Sequence, residues 1–230
     1  MFWRAVVVAD PNKGSTIIRS DLFKETTVEA AKELSGDYWG RDSLSGNERN
    51  RLFINHEGKQ FIDVTNVSGA DHIGDGRSVV LWDYNHDGLT DIASVNTNAP
   101  KLVFYRNETD KIKTQKNNFL ALRLIGGNKT DLKSSHYSNR DGYGAKILLK
   151  CDGGSFYEEH RCGEGFSAQN SNTLIIGIGK EPMVRSVTIS WPSGRLTELL
   201  NLRPGSLVTV HENSEDSPNG KTFTVEPYVP

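Results

Sequence analysis

The chain has 230 residues, of which 36% are hydrophobic and 24% are charged, and its formal net charge is −2. This composition is that of a globular protein long enough for one large or two small domains. Its basic residues are scattered among acidic ones, which argues against a nucleic-acid-binding surface, and no apolar run approaches the ~18 residues of a transmembrane helix.

Residues 1–49 are predicted to form an irregular segment with one short helix, over Thr26–Leu34. A threonine can cap this helix, and an acidic residue follows in its first turn. The opening run MFWRAVVVAD has too few apolar residues for the core of a secretory signal peptide. Either the chain is cytoplasmic, or an export signal was removed or lies outside this sequence.

From Arg51 onwards, short runs of apolar and β-branched residues alternate with Gly, Asn, Asp or Pro, which is typical of β-strands. The polar stretch ETDKIKTQKNN divides these runs into two groups and is the best candidate for a linker. Residues 117–213 are predicted to form an antiparallel sandwich or barrel, with Trp191 mostly buried. Its core should contain alternate residues of ALRLIG, KILLK, TLIIGIG and SVTISW. Residues 214–230 are predicted to be a polar tail.

Cys151 and Cys162 flank a predicted hairpin with its turn at residues 152–154. Regular pairing about that turn places Cys151 opposite Ser155 rather than opposite Cys162. A disulfide would need a bend or bulge that brings the two Cα atoms within about 7 Å. The sequence therefore favours two independent thiols over a disulfide, and it leaves the compartment open.

The stretch WDYNHDGLTDIAS, residues 82–94, places oxygen-bearing groups at alternate positions of a tight loop between two strand-like runs. Gly88 allows the sharp turn. Hard oxygen ligands suit Ca²⁺, which takes about 6 to 8 of them, and a cation offsets the repulsion between neighbouring carboxylates. The alternative is an ordinary polar turn, and an EF-hand is excluded because Ser94 stands where that loop has Glu. The predicted calcium ligands are Asp83, Asn85, Asp87, the Leu89 carbonyl and Asp91.

Residues 50–116 resemble the FG-GAP/VCBS type of repeat, through the run NRLFINHEGKQFIDVTNVSGADHIGDGRSVVLWDYNHDGLTDIASVN. The resemblance implies one blade of an integrin-like β-propeller, with a D-x-[DN]-x-D-G-x-x-D loop that binds calcium between strands. Relatives carry several repeats, and a propeller needs about 4 to 8 blades. A single blade cannot bury both faces, so it should pack on another part of the chain or on another protein.

The second half of the chain resembles the ASPIC/UnbV domain, which is also found in cartilage acidic protein and its bacterial relatives. The resemblance rests on FLALRLIGGN, GYGAKILL, GEGFSAQNSNTLIIGIG and VTISWPSG. Gln169, Gly177, Gly179 and the Trp191–Gly194 run stand in the order of that family. The stretch DLKSSHYSNR replaces a shorter stretch of the family.

We find no catalytic constellation in the sequence, because Ser167 lies in GFSAQ rather than in a nucleophile elbow. The favoured function is a non-catalytic, calcium-stabilised protein-interaction module, which is an extracytoplasmic subunit of a larger assembly. Its partner would be another protein chain or a second copy. Alternatively, the N-terminal segment folds over the blade of a monomer. A different function, carbohydrate binding within an extracellular polymer-active enzyme, would be favoured by a cleft with two carboxylates ~5–10 Å apart.

Overall fold

The computed structural model describes residues 3–9, 48–56, 58–97, 99–111, 116–129 and 134–229. These residues are mainly β, as predicted, and their strands form sheets that do not close into a barrel. Among them, one α-helical turn spans Thr65–Ser68, and 3-10 turns span Thr109–Lys111 and Ser214–Asp216. The helix predicted over Thr26–Leu34 lies outside the described residues. No described helix is both long enough and apolar enough to cross a bilayer.

The described residues fall into two compact units. The first lies within Met1–Val79 and Asp91–Thr109, and the second within Val80–Thr90 and Asp110–Pro230. The first unit contains a four-stranded sheet in the order β1-β6-β5-β4 and a separate hairpin, β2-β3. Its strands are β1 (Trp3–Ala9), β2 (Phe53–His56), β3 (Gln60–Asp63), β4 (Gly76–Trp82), β5 (Asp91–Asn96) and β6 (Leu102–Asn107). The last three residues of β4 are assigned to the second unit.

Strand β1 corrects the prediction that residues 1–49 are irregular. It runs antiparallel to β6 along its whole length, with one irregularity between Ala5 and Val7. Valines favour a strand, but a lone run of them is too short to identify its partner, which lies far along the chain. The small core of this unit centres on Val103 and Tyr105 of β6, packed with Ala70 and with the half-buried Ile92.

The second unit is a β-sandwich of two four-stranded sheets. The sheet orders are β10-β7-β13-β14 and β12-β11-β8-β9. All neighbouring strands are antiparallel except β7 and β13, which are parallel. The strands are β7 (Asn118–Ile125), β8 (Lys146–Cys151), β9 (Gly154–Glu159), β10 (Thr173–Gly179), β11 (Val184–Ser190), β12 (Leu196–Leu202), β13 (Ser206–His211) and β14 (Phe223–Pro227).

One hydrophobic core joins both sheets of the sandwich. It draws on alternate residues, for example Ile147 and Leu149 of β8 and Val187 and Ile189 of β11, all fully buried. Trp191 is only 3% exposed, and its indole N–H donates to the Thr197 hydroxyl at 2.9 Å. The predicted core alternation and the predicted burial of Trp191 are confirmed.

Strand β14 lies within the predicted polar tail, residues 214–230. It pairs antiparallel with β13, with Val225 opposite Val208, and Phe223 packs against the core. The tail is polar up to Lys221, but FTVEP has the alternation of a half-buried strand. Strand β13 lies between β14 and β7. Its pairing with β7 is parallel, whereas the sequence predicted an antiparallel sandwich.

Both cysteines are free thiols, as the sequence favours. The β8–β9 hairpin turns at Asp152 and Gly153, so Cys151 stands opposite Gly154 rather than opposite Ser155. Cys162 lies beyond the end of β9 and is exposed. Burial raises the pKa of the Cys151 thiol, and the nearby Glu181 adds to the shift.

We expect Leu149→Ala to lower the free energy of unfolding by about 2–5 kcal/mol, because it leaves a cavity at the centre of the sandwich core. The neighbouring exposed substitution Lys150→Ala should change it by less than about 0.5 kcal/mol. Urea denaturation followed by tryptophan fluorescence measures both. Equal effects of the two substitutions would contradict the position of this core.

Candidate functional site

The predicted calcium loop follows β4 and is closed by its own side chains. The Asp83 carboxylate accepts the backbone N–H groups of Asp87 at 3.2 Å and Gly88 at 2.7 Å. The Asp87 carboxylate accepts the backbone N–H of Leu89 at 2.9 Å and the amide N–H of Asn85 at 2.8 Å. Gly88 has a φ of 83°, in the left-handed region that glycine adopts without strain. Four of the five predicted ligand residues therefore belong to one tight turn.

The amide oxygen of Asn85 decides whether this loop suits a cation. It is buried and has no hydrogen-bond partner within the described residues, a state that costs about 1–3 kcal/mol. The described residues contain no group of three or more His, Cys, Asp or Glu placed to hold a metal. The loop instead offers the carboxylates of Asp83 and Asp87, the Asn85 amide oxygen and the Leu89 carbonyl. An all-oxygen set of this kind fits a hard cation such as Ca²⁺.

Asp91, the fifth predicted ligand, is the first residue of β5 in the first unit. Its buried carboxylate accepts the backbone N–H of Asn107 at 2.7 Å. This bond ties the start of β5 to the end of β6. The structure thus shows a role for Asp91 within the sheet, and its role as a ligand stays a prediction.

Aromatic side chains hold the loop within the second unit. The Phe119 ring lies so close to Gly88 that an added Cβ would stand 2.0 Å from it. Phe119 meets Tyr228 edge-on at 5.7 Å between ring centroids, and Tyr228 meets the ring of His86 at 4.8 Å. His86 is exposed, and its Nδ1 lies 3.3 Å from the Val229 carbonyl oxygen. None of these contacts was visible in the spacing of the loop, because they join positions far apart in the chain.

The surroundings of the loop disfavour negative charge. Burial raises the pKa of the Asp83 carboxyl, and the charge of Asp87 adds to the rise, while the Gly88 N–H opposes it. Burial also raises the pKa of Tyr228, and the charge of Asp83 strengthens that shift. Both shifts mean that the surroundings favour the neutral form of the group.

A second cluster surrounds Glu212, a buried residue directly after β13. Its Oε2 accepts the backbone N–H groups of Gly127 at 2.9 Å and Ser138 at 2.7 Å. Its Oε1 accepts the hydroxyls of Ser138 at 3.0 Å and Ser193 at 2.5 Å. Four donors from three separate segments therefore satisfy one carboxylate. The sequence analysis missed Glu212, whose only signal is an acidic residue that ends the apolar run SLVTVHE.

This cluster lies in a part of the chain that matches a known family. Residues 135–217 match the family model described as ASPIC and UnbV. The match contains Ser138, Ser193 and Glu212, so the side chains of the Glu212 cluster all lie in the part of the chain that resembles this family. A search of curated proteins finds no match to the chain. The FG-GAP/VCBS resemblance of residues 50–116 stays a prediction.

Gln169, within the matched residues, helps to fix a surface loop. Its amide donates to the Tyr143 hydroxyl, which in turn donates to the Asn172 side-chain oxygen at 2.6 Å. The Tyr143 ring stacks on His160 at 4.7 Å between centroids, and His160 Nε2 bonds the Asp141 carbonyl at 3.0 Å. Burial lowers the pKa of His160, so the stacked imidazole is neutral at neutral pH. These bonds give Gln169 a structural role.

Residues 135–217 contribute most of a cleft of about 480 Å³ that two carboxylates line, Glu198 and Glu212. A carboxylate pair is the feature that would favour polymer hydrolysis. Both oxygens of Glu212, however, already accept two hydrogen bonds each. Glu212 is therefore occupied as a structural acceptor, and this cleft gives no support to a pair that shares acid and base roles.

We expect Glu212→Ala to lower the free energy of unfolding by at least about 2 kcal/mol, because it leaves the buried N–H groups of Gly127 and Ser138 without an acceptor. Glu198→Ala removes the exposed carboxylate of the same cleft and should cost less than about 0.5 kcal/mol. Chemical denaturation of the two variants measures the difference. A Glu212→Ala protein as stable as Glu198→Ala would contradict the structural role.

Proposed function

We propose that this chain is a non-catalytic protein-interaction module stabilised by Ca²⁺. The observation that carries the proposal is the buried Asn85 amide oxygen, which lacks a donor and lies in a turn with the Asp83 and Asp87 carboxylates. A cation coordinated by these oxygens would offset both the missing hydrogen bond and the charge repulsion. The Leu89 carbonyl oxygen is the fourth ligand that the loop itself would supply. Asp91 is the further ligand that the sequence predicts.

The ion would stabilise the protein rather than take part in a reaction. The Asp83 and Asp87 carboxylates already bond the backbone of the turn, so the loop is shaped before a cation arrives. Such preorganisation lowers the conformational entropy lost on binding. Because Ca²⁺ would bind the folded loop and not the unfolded chain, its binding free energy adds to the free energy of folding.

Support for a protein partner comes from the β2–β3 hairpin of the first unit. Phe61 of β3 is 72% exposed, and Phe53, on the same face of the hairpin, is also exposed. Exposed apolar patches often mark interaction sites. This supports an assembly, and our proposal sets that assembly outside the cytoplasm, where calcium is plentiful. The partner is another protein chain or a second copy, and carbohydrate binding stays the alternative.

We expect Ca²⁺ to raise the melting temperature of chelator-treated protein, by a stabilisation of about 2.7 kcal/mol at a calcium concentration about 100 times Kd. Asp87→Ala and Asn85→Ala should abolish this shift. Asp152→Ala removes an exposed carboxylate paired with Arg185 in the β8–β9 turn and should preserve it. Scanning calorimetry with and without calcium provides the measurement. A melting temperature that millimolar calcium leaves unmoved would show that the loop is only a turn.

The assembly is tested by the mass of the purified chain. We expect light scattering to give a mass above the 25.5 kDa of one chain, or a pull-down from native extract to recover a defined partner. Phe61→Ser should weaken that association without lowering the melting temperature, because the side chain is exposed. A monomer that recovers no protein, and whose residues 1–49 resist protease, would contradict a subunit role.

A further inference from the structure

Strand β12 forms an end of its sheet and is hydrogen-bonded on one side only, to β11. The Trp191 N–H donates to the Arg195 carbonyl at 2.9 Å, which sets the hydrogen-bonded pairs of this hairpin. Antiparallel pairs alternate between bonded and non-bonded, so Thr197 and Leu199 bond β11. The backbone N–H and C=O groups that point away from the sheet belong to Leu196, Glu198 and Leu200, which we name the open edge.

The open edge has little of the usual protection of a sheet end. Exposed edge strands normally carry charged side chains, proline or a bulge, or lie under another segment. Here Glu198 is the one charged side chain, and Asn201, in the left-handed region with a φ of 54°, follows the edge directly. The edge strand of the other sheet, β14, ends in Pro227. Leu196 and Leu200 are 71% and 60% exposed, and no strand of the described chain pairs with β12 on this side. The open edge therefore combines main-chain hydrogen-bonding groups with apolar contact area.

A cleft lies beside β12. The five residues from Arg195 to Leu199 line it, together with Tyr137 and Phe223. The Arg195 guanidinium lies 4.6 Å from the centre of the Tyr137 ring, a cation–π contact that fixes one end of the cleft. Side chains of a strand point alternately to its two faces. Leu196, Glu198 and Leu200 share one face of β12, so an added strand would place every second side chain beside them.

The charge of Glu198 selects the occupant. If a second copy paired antiparallel through all three open-edge residues, Glu198 would stand opposite Glu198, and directly opposed like charges are destabilising. A foreign strand with Lys or Arg at that position forms an opposite-charge pair instead. Its neighbours two residues away on each side would face Leu196 and Leu200, so apolar side chains suit them.

We propose that the open edge binds an extended peptide segment of a partner protein as an added antiparallel strand, with the pattern apolar–x–basic–x–apolar. Main-chain hydrogen bonds to Leu196, Glu198 and Leu200 supply affinity, and Glu198 with its two leucines supplies specificity. The inference rests on the proposed role as an interaction module and names a surface and partner chemistry for it. It does not depend on calcium.

The test uses the full chain and an acetylated, amidated peptide, TVTKTVT, with TVTETVT as its charge-reversed control. Hydrogen exchange by NMR should show slowed amides at Leu196, Glu198 and Leu200 when TVTKTVT is added. Thr197 and Leu199 should be protected with or without peptide, because they already bond β11. A peptide with proline in place of the lysine lacks a main-chain donor and should not bind.

Charge reversal separates specific pairing from non-specific adhesion. Glu198→Lys should weaken binding of TVTKTVT roughly fivefold and strengthen binding of TVTETVT by a similar factor. Glu226→Lys, an exposed change on β14, should leave both affinities unchanged. Fluorescence anisotropy of labelled peptides measures the affinities.

Several outcomes would overturn the proposal. The first is that the two peptides bind the unaltered chain equally well. The second is that the peptide protects amides outside the open edge. The third is that no binding occurs at millimolar peptide. If the open-edge amides become protected from exchange as the protein concentration rises, without peptide, the occupant is a second copy of this chain rather than a foreign strand. None of these results bears on the calcium response of the melting temperature, so a failure here is distinct from a failure of the calcium proposal.

Discussion

Burial of a carboxylate in a β-sandwich is tolerable only when donors fill its oxygens, since an unpaired buried charge is very costly. Glu212 meets this requirement with N–H groups of Gly127 and Ser138 and hydroxyls of Ser138 and Ser193. These donors belong to the segment after β7, the segment before β8 and the turn between β11 and β12. The carboxylate therefore ties its own β13–β14 connection to the β7–β8 and β11–β12 connections. Because the β11–β12 turn is held there, the direction of β12 and the shape of the neighbouring cleft depend on it as well.

The apolar core needs no such single contact, and it was the part of the molecule that the sequence predicted best. The alternation in KILLK and SVTISW places Ile147, Leu149, Val187 and Ile189 inward in any register that buries one face. Trp191 follows the same alternation one step further. The alternation of apolar and polar residues within one strand is enough to predict which side chains are buried, because successive side chains point to opposite faces of the sheet.

Pairings between distant strands could not be predicted in the same way. The parallel contact of β7 with β13 and the addition of β14 depend on how connections cross the sheet, which no local pattern records. Strand β1 was missed for a related reason, since its partner β6 lies beyond a long intervening segment. The donors of Glu212 were missed because Gly127, Ser138 and Ser193 are ordinary turn residues until the fold brings them together.

The loop after β4 shows what a local sequence pattern can predict and what it cannot. Spacing alone indicated that Asp83, Asn85 and Asp87 share one turn, because short loops draw alternate side chains together. The burial of Asn85 and the raised pKa of Asp83 depend on surroundings that the spacing does not contain. A motif can thus predict which oxygen atoms a loop brings together. The burial that changes their electrostatics comes from the rest of the fold.

The same loop has a consequence for synthesis on the ribosome. Residues 80–90 lie between the two segments of the first unit in the sequence, yet they pack within the second. The Leu81 N–H bonds the Asn170 side chain at 2.8 Å, and Gly88 lies under Phe119, which contacts Tyr228. A nascent chain that has emerged only to β6 holds this loop without any of these contacts. Its final packing must wait until Tyr228 has left the exit tunnel, so the two units cannot mature strictly one after the other.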